Sequence, residues 1–196
     1  EPSDSQEAKD FTKLAFDISE NFDTPVLLRL TTRTAHSKSA VELEQRKEFQ
    51  KELKKDIKKY VMMPSNAKPR HIFIEERLRK LEDLSNGLNK TEYNNYDIGI
   101  ITSGVSYLYA KEAMPSASFL KLNMSYPLPK KLIREFSEKV KKLYVIEELD
   151  PFIEEQVKAL GISCMGKNKF PICDELNPDI VNSILNNKTY SKVENN

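Results

Sequence analysis

The spacing of apolar positions changes along the chain, and each spacing predicts a different element. Over residues 1–23 apolar side chains recur every three or four positions, as in a helix with one buried face. Ser3 followed by Gln6 has the pattern of a capping box, and Thr24-Pro25 predicts the end of this helix. Residues 26–32 (VLLRLTT) are mostly apolar and β-branched, which predicts a strand covered on both faces. One helix and one strand cannot close a core, so we expect their packing partners elsewhere.

A different pattern covers residues 40–88. Residues 40–60 carry a thin apolar stripe, and acids recur every four positions with a lysine three positions after each, which predicts a solvated helix. A basic helix that binds nucleic acid is the disfavoured alternative, because the acids cancel its field. Residues 63–69 predict a loop rich in helix breakers. A third helix follows, with its end predicted at Asn86-Gly87 and its apolar face formed by Ile74, Leu78, Leu81, Leu84 and Leu88.

From residue 96 onward, strands and helices alternate. This alternation predicts a three-layer α/β/α domain with a largely parallel sheet, whose loops line a crevice where ligands often bind. The last helix begins at Asn177-Pro178, and the polar tail after it is expected to be disordered. The predicted strands cover residues 97–102, 118–122 and 143–146, with a possible fourth at 162–164, and the predicted helices lie at 105–114, after Pro127 and Pro129, and from Asp150-Pro151 to Gly161.

Composition excludes several classes of protein. The chain has 196 residues, of which 39% are hydrophobic, and no apolar run approaches the roughly 20 residues of a spanning helix. The net charge is +1, so no global field attracts nucleic acid or an anionic membrane. The two cysteines, Cys164 and Cys173, are too few for a disulfide framework or an iron–sulfur cluster, and we expect idle thiols in a reducing, cytoplasmic compartment. Residue 1 is Glu rather than Met, so we expect a processed chain or a piece of a longer one.

Two polar segments follow predicted strands and are the candidates for anion contacts. The turn at Ser103 and Gly104 joins a strand to a helix, where backbone N–H groups can hold an anion. With one glycine, a tight turn capped by Ser103 or Ser106 is the favoured interpretation. In the other segment, Arg33 could clamp an anion and His36 could shuttle a proton, but no third orienting group is identifiable, and interdomain hydrogen bonding is favoured.

Three carboxylates, Glu147, Glu148 and Asp150, lie together at the end of a predicted strand. Such a group can bind a hard cation or supply an acid and a base. The favoured interpretation is structural, with Asp150 capping the next helix and the glutamates near its positive end. No catalytic, cofactor-binding or metal-ligating residue is therefore predicted in this chain.

Seven short stretches, taken in order, resemble the alpha subunit of the indolepyruvate ferredoxin oxidoreductases, a family of 2-oxoacid oxidoreductases. No single stretch is specific, but the seven occur in the same order and together extend over most of residues 1–185. They are residues 1–8 (EPSDSQEA), 23–29 (DTPVLLR), 32–37 (TRTAHS), 100–105 (IITSGV), 125–129 (SYPLP), 147–152 (EELDPF) and 175–179 (ELNPD).

The resemblance implies that the chain is an internal fragment of such a subunit. Residues 1–39 would end a domain that binds the pyrimidine of thiamine diphosphate, 40–95 would form a charged helical linker, 96–186 a transketolase C-terminal-like domain, and 187–196 a disordered tail. The parent would use thiamine diphosphate, Mg²⁺ and 4Fe–4S clusters, and the fragment would bind none of them. Its partners would be the remaining domains of the subunit and the beta subunit, with ferredoxin and coenzyme A serving the parent enzyme.

The function implied is that of an inactive scaffold portion of an enzyme that oxidatively decarboxylates indolepyruvate and other aryl pyruvates. The cofactor carries such chemistry while the protein positions it. Two alternatives of another class stay open. One is a free-standing α/β module that binds a small ligand at the Ser103-Gly104 turn, and the other is an interaction module whose helical linker docks a partner.

Overall fold

The structure is a computed structural model and describes residues 1–46, 52 and 54–188. Its elements, in chain order, are α1 (Ser5–Phe22), α2 (Thr32–His36), α3 (Ile57–Tyr60), α4 (Pro64–Leu88), β1 (Lys90–Glu92), β2 (Ile98–Ser103), α5 (Gly104–Ala113), β3 (Ser118–Leu122), α6 (Lys130–Ser137), β4 (Lys142–Ile146), α7 (Phe152–Ala159) and α8 (Pro178–Leu185).

The sheet confirms the predicted α/β class. Its strand order is β1-β3-β2-β4, with β2 parallel to both β3 and β4. At one edge β1 runs antiparallel to β3, with Lys90 opposite Lys121. The sequence prediction missed β1, because three polar residues carry no strand pattern of their own, and the sheet therefore begins before the predicted boundary at residue 96.

Helices cover both faces of the sheet, so the three-layer arrangement is also confirmed. Successive strand residues point to opposite faces, and Ile100 packs in one core cluster while Ile101 packs in the other. One face is covered by α5 and α8, and the opposite face by α6 and α7. The carboxyl ends of the three parallel strands therefore meet at one edge, where the remaining polar segments converge.

The first helix is confirmed, but its cap is shifted by one residue from the prediction. The N-cap is Asp4, whose carboxylate accepts from the backbone N–H of Glu7 at 2.8 Å. Glu7 in turn accepts from the backbone and the hydroxyl of Ser3. Asp4 therefore caps the helix, but the reciprocal bond of a capping box is not formed, because Glu7 accepts from Ser3 rather than from the backbone N–H of Asp4.

The predicted strand at residues 26–32 is wrong. Residues 24–31 form no ladder with any strand in the described ranges, and Thr32 already begins α2. Their apolar side chains stay largely in solvent, with Leu27 89% exposed. A strand exists only when a second strand satisfies its N–H and C=O groups, and this pairing is what the local sequence could not specify.

The predicted helix at residues 40–60 is wrong at residues 40–46, 52 and 54–56 and is confirmed only over its last turn. Residues 40–46 are not helical, and only Ile57–Tyr60 forms a helical turn. Residues 47–51 and 53, which include Phe49 and Leu53 of the predicted stripe, lie outside the described residues. In the described residues 40–46, side-chain pairs worth a few tenths of a kcal/mol do not replace the packing that stabilises a helix.

The loop predicted at residues 63–69 is also wrong, because α4 begins at Pro64. A proline at the first position of a helix loses no hydrogen bond, since that N–H has no intrahelical acceptor. Pro69 is contained inside the helix. Gly87 is not the stop, because the helix continues to Leu88 and Asn89 forms its C-cap with φ −86°.

The C-terminal part mostly follows its prediction. The possible strand at 162–164 is reduced to one isolated bridge between Tyr144 and Met165. Asn177 caps α8 by accepting from the N–H of Ile180 at 2.9 Å. The predicted disordered tail at 187–196 falls, from residue 189 onward, outside the described residues.

Candidate functional site

The turn at Ser103 and Gly104 lies at the carboxyl end of β2, and an anion from the chain itself occupies it. Gly104 has φ +53°, a left-handed conformation that favours glycine. The carboxylate of Glu1 accepts from Ser103 Oγ at 2.6 Å and from Ser125 Oγ at 2.9 Å. The side chain of Arg29 donates to both oxygens of the same carboxylate, at 3.1 and 2.8 Å. The turn that was considered as a possible anion site therefore lies against the Glu1 carboxylate, which Ser103 binds through its hydroxyl.

The pKa of Glu1 shows which effects dominate at this position. Burial raises the pKa of the carboxyl, but the hydrogen bonds from Arg29 and Ser103 and the charge of Arg29 outweigh it, so the pKa is lowered. Glu1 therefore stays ionised at neutral pH. This arrangement weighs against the alternative of a free-standing module that binds a ligand at this turn.

The other two candidate residues, Arg33 and His36, lie on α2. Arg33 Nη2 donates to a carboxylate oxygen of Glu175 at 2.6 Å, and its guanidinium lies 5.9 Å from the ring centroid of Tyr109. Both partners belong to the α/β unit, so Arg33 joins the N-terminal segment to it. His36 is exposed at the end of α2.

The three carboxylates after β4 do not act as one group, and Glu147 and Glu148 bind different backbone N–H groups. Glu147 is buried and accepts from the N–H groups of Ile153 and Glu154, at 2.8 and 2.9 Å, so Glu147 rather than Asp150 caps α7. Glu148 accepts from the backbone N–H of Leu176 at 3.2 Å. The prediction that Asp150 caps this helix is wrong, because the chain loops back far enough for the side chain of Glu147 to reach the first turn.

Glu147 has an unusual protonation equilibrium. Burial raises the pKa of its carboxyl above the ordinary value, although the two backbone N–H groups and the charge of Lys167 act in the opposite direction. The Lys167 ammonium donates to the backbone oxygens of Glu147 and Pro171 rather than to the Glu147 carboxylate. The carboxyl therefore lacks a direct ion pair in the described part of the chain.

A buried ion pair that the sequence analysis missed joins α1 to the sheet. The ammonium of Lys121, on β3, donates to Glu7 and to Ser3 Oγ and lies 4.6 Å from the ring centroid of Tyr107. Burial lowers the pKa of Lys121, while Glu7 opposes that shift. The only signal in the sequence was a lysine between two leucines in a strand that is buried along its whole length.

A large apolar groove lies beside these polar groups. Its volume is about 700 Å³, within the range typical of binding sites. We define the apolar groove by its walls: α1, residues 24–29, α4, residues 123–127 and residues 147–153. The carboxylates of Glu1 and Glu147 and the orphaned, buried side-chain oxygen of Asn123 lie along it.

The described residues offer few other groups that could bind a metal ion or react. Across residues 1–46, 52 and 54–188, no group of three or more His, Cys, Asp or Glu side chains could hold a metal ion. Cys164 is half-buried, and burial raises the pKa of its thiol to about 11, which disfavours the reactive thiolate. Cys173 is exposed. No helix within the described ranges is both long and apolar enough to cross a membrane.

Comparison with curated proteins confirms the resemblance to indolepyruvate oxidoreductases. The chain is similar to indolepyruvate oxidoreductase subunit IorA of Archaeoglobus fulgidus, with 40% identity over 172 residues, which is 83% of this chain and 28% of that protein. The subunit of the same name from Pyrococcus horikoshii is 34% identical over 87% of this chain and 30% of its own length. That of Methanothermobacter thermautotrophicus is 32% identical over 96% of this chain and 34% of its own. The chain thus spans about a third of these relatives.

Comparison with solved structures supports the same fold. The chain is similar to a chain in the structure of 2-oxoglutarate:ferredoxin oxidoreductase from Magnetococcus marinus, with a TM-score of 0.53 and 19% identity, over 64% of this chain and 23% of that one. At this identity the likeness concerns the fold alone, which is consistent with the transketolase C-terminal-like α/β arrangement. No protein-family model matches the sequence.

Proposed function

We propose that this chain is a scaffold portion of an indolepyruvate oxidoreductase subunit, the whole of which oxidatively decarboxylates indolepyruvate and other aryl pyruvates in the cytoplasm. The observation that carries the proposal is the 32–40% identity to subunits of that name over most of this chain. The α/β fold, shared with a chain from a 2-oxoacid:ferredoxin oxidoreductase structure, is consistent with it. The beta subunit, ferredoxin and coenzyme A are the partners we propose for the whole enzyme.

The chain's own part in the reaction is to pack and orient rather than to react. The proposed parent uses thiamine diphosphate with Mg²⁺ and 4Fe–4S clusters, which supply decarboxylation and electron transfer when bound. The residues described here do not fit these groups: the one turn suited to a phosphate is filled by Glu1, and only two cysteines are present. We therefore assign no reaction step to this chain.

The N-terminal segment fits a place between two domains. We assign residues 1–39 to the end of a pyrimidine-binding domain, 40–95 to a linker whose last residues add the edge strand β1 to the sheet, 96–186 to the transketolase C-terminal-like domain and 187–196 to its tail. Residues 24–31 support this division, because they form no ladder with any described strand and expose apolar side chains such as Leu27. The contacts of Glu1, Glu7 and Arg33 with the α/β unit would hold the two domains together.

The experiment that tests the proposal is an assay of the complete subunit with its partner subunit. We expect indolepyruvate to reduce ferredoxin in a reaction that depends on coenzyme A, and the 196-residue chain alone to have no such activity. Phenylpyruvate and 4-hydroxyphenylpyruvate test the range of aryl substrates, and pyruvate and 2-oxoglutarate serve as controls. Failure of every aryl pyruvate, with a control substrate accepted, would show that the substrate assignment is wrong.

A further inference from the structure

The apolar groove is a surface that this chain does not fill. Apolar side chains from α1 and α4, including Leu14, Ile18 and Leu81, line its floor together with Met124. A space of about 700 Å³ between such side chains is open to solvent. Large contiguous apolar surfaces that are exposed on a protein mark contact sites, so an apolar groove of this size indicates an absent occupant.

The rim of the groove is also apolar. Leu27, Tyr126, Leu149 and Phe152 all line it, and each has about half or more of its surface in solvent. Leu149 has φ +62°, an uncommon conformation for a non-glycine residue. Contiguous exposed apolar surface with a polar border marks a site of protein contact rather than a closed pocket for a small molecule.

The charges around the groove indicate what its occupant carries. Four carboxylates and one guanidinium line it: Glu1, Glu147, Glu148, Asp150 and Arg29. Arg29 is already paired with Glu1. The exposed carboxylate of Asp150 therefore leaves the rim with an acidic excess, which complements a basic side chain.

We propose that the apolar groove receives an apolar segment with a flanking Lys or Arg from the same longer subunit, in a region outside these 196 residues. This inference rests on the proposed function, which makes the chain part of such a subunit. The relatives are about three times longer than the region they share with this chain, so they contain ample sequence for such a segment. A second copy of this chain is the competing occupant, and it lacks support because its matching surface carries the same acidic excess.

Thiol labelling in the complete subunit tests the proposal. The variant Leu27→Cys places a thiol on the rim, and Leu43→Cys is the matched control, because Leu43 is 86% exposed and does not line the groove. The rate of reaction with a maleimide is read at each site by peptide mass spectrometry and compared with the rate in the urea-unfolded subunit. We expect labelling at position 27 to be slowed about tenfold in the folded subunit, which corresponds to about 1.4 kcal/mol of docking, and labelling at position 43 to be nearly unaffected. Equal rates at the two positions would overturn the proposal.

A second pair of variants gives an independent readout. Leu27→Asp and Leu43→Asp change two side chains that are almost fully exposed in this chain, so neither is expected to disturb its own folding. In the complete subunit we expect only Leu27→Asp to lower the unfolding temperature, and equal effects would contradict the inference. If the 196-residue chain forms a dimer and Leu27→Asp abolishes that dimer, the occupant of the groove is a second copy instead. The proposed function is tested separately, by the enzyme activity of the unmodified subunit. Failure of this inference is therefore distinguishable from failure of the proposed function.

Discussion

The ammonium of Lys121 is buried between α1 and the sheet, and its partner is the carboxylate of Glu7. Burial raises the pKa of Glu7, but hydrogen bonds from Lys121 and Ser3 outweigh it and lower the pKa. The carboxylate of Glu7 is therefore ionised at neutral pH, and its charge opposes the lowering of the Lys121 pKa by burial. Taking two charges out of water costs free energy that only their mutual contact offsets. The pair consequently specifies where α1 sits on the sheet more than it adds stability.

Removing one partner of this pair is expected to be costly. We expect Lys121→Met to lower the free energy of unfolding by about 3 kcal/mol, because it leaves the carboxylate of Glu7 buried without its cation. Urea denaturation measures the effect. The matched control is Lys111→Met, which breaks the half-exposed pair with Glu92 and is expected to cost at most about 1 kcal/mol.

The double variant separates pairing from packing. Glu7→Gln combined with Lys121→Met removes both charges, and we expect it to be more stable than Lys121→Met alone. If Lys121→Met costs no more than Lys111→Met, the pair does not have the role described here.

Glu147 makes the stability depend on pH in the direction opposite to Glu7. Burial raises its pKa in the folded chain above the ordinary value of 4.5, so in the window just above pH 4.5 the folded state binds more protons than the unfolded state. Stability from this group is then present below pH 4.5 and is lost as the pH rises through the raised pKa.

The variant Glu147→Gln isolates this contribution. We expect the stability of the unmodified chain relative to Glu147→Gln to fall as the pH is raised from below 4.5 through that window, as measured by denaturation at a series of pH values. Glu155→Gln, which changes an exposed carboxylate on the same helix, is the control and should show no such trend. A relative stability that rises with pH would contradict the assigned direction.

At the scale of residues, the sequence predicted where polar groups occur but not what they bind. The carboxylates at 147–150 and the Ser103-Gly104 turn are at the strand ends where they were expected. Their partners are distant in sequence: Ser103 binds Glu1, and Lys121 binds Glu7. Such pairings depend on how α1 packs against the sheet, which no local pattern encodes.

Two glycines in different elements allow a direct comparison of packing with helix propensity. A Cβ on Gly99, in β2, would lie 2.7 and 2.8 Å from the two methyl groups of Val140 and 3.0 Å from Phe136 Cε1. A Cβ on Gly87, inside α4, would meet nothing within 4 Å. Gly99 is therefore needed for the close approach of strand and helix, whereas Gly87 is not needed for packing.

Alanine at these two positions is expected to have opposite effects. We expect Gly99→Ala to destabilise the chain by about 2 kcal/mol through overpacking, and Gly87→Ala to stabilise it by up to about 1 kcal/mol through helix propensity. Thermal and urea denaturation measure both. Adding Val140→Ala to Gly99→Ala should recover part of the loss, and a neutral Gly99→Ala would show that the strand is packed less tightly than described.

Among helices and strands, the predictions were correct for elements whose apolar faces are buried within the α/β unit of this chain. The strand at Ser118–Leu122 lies where its apolar run predicted, because both faces are buried within this chain. The strand at 26–32 and the helix over residues 40–46 and 54–56 are absent, and apolar side chains of the first two segments, such as Leu27 and Leu43, are 89% and 86% exposed. The loop at 63–69 failed for another reason, since Pro64 starts a helix as readily as it ends one.

At the scale of the whole molecule, the chain combines a well-packed α/β unit with surfaces that need further protein. Its sheet has a core on each face. By contrast, residues 24–31 and the rim of the apolar groove expose leucine, tyrosine and phenylalanine side chains. This contrast is what a scaffold portion of a larger subunit requires: internal stability together with unsatisfied contacts for its neighbours.

The central claim is that this chain supports a cofactor-dependent enzyme without holding the cofactor itself. Calorimetric titration of thiamine diphosphate with Mg²⁺, into the 196-residue chain and into the complete subunit pair, tests it most directly. We predict heat of binding for the complete pair and none for the chain alone. Tight binding to the chain alone, or no binding to the complete pair, would contradict this account.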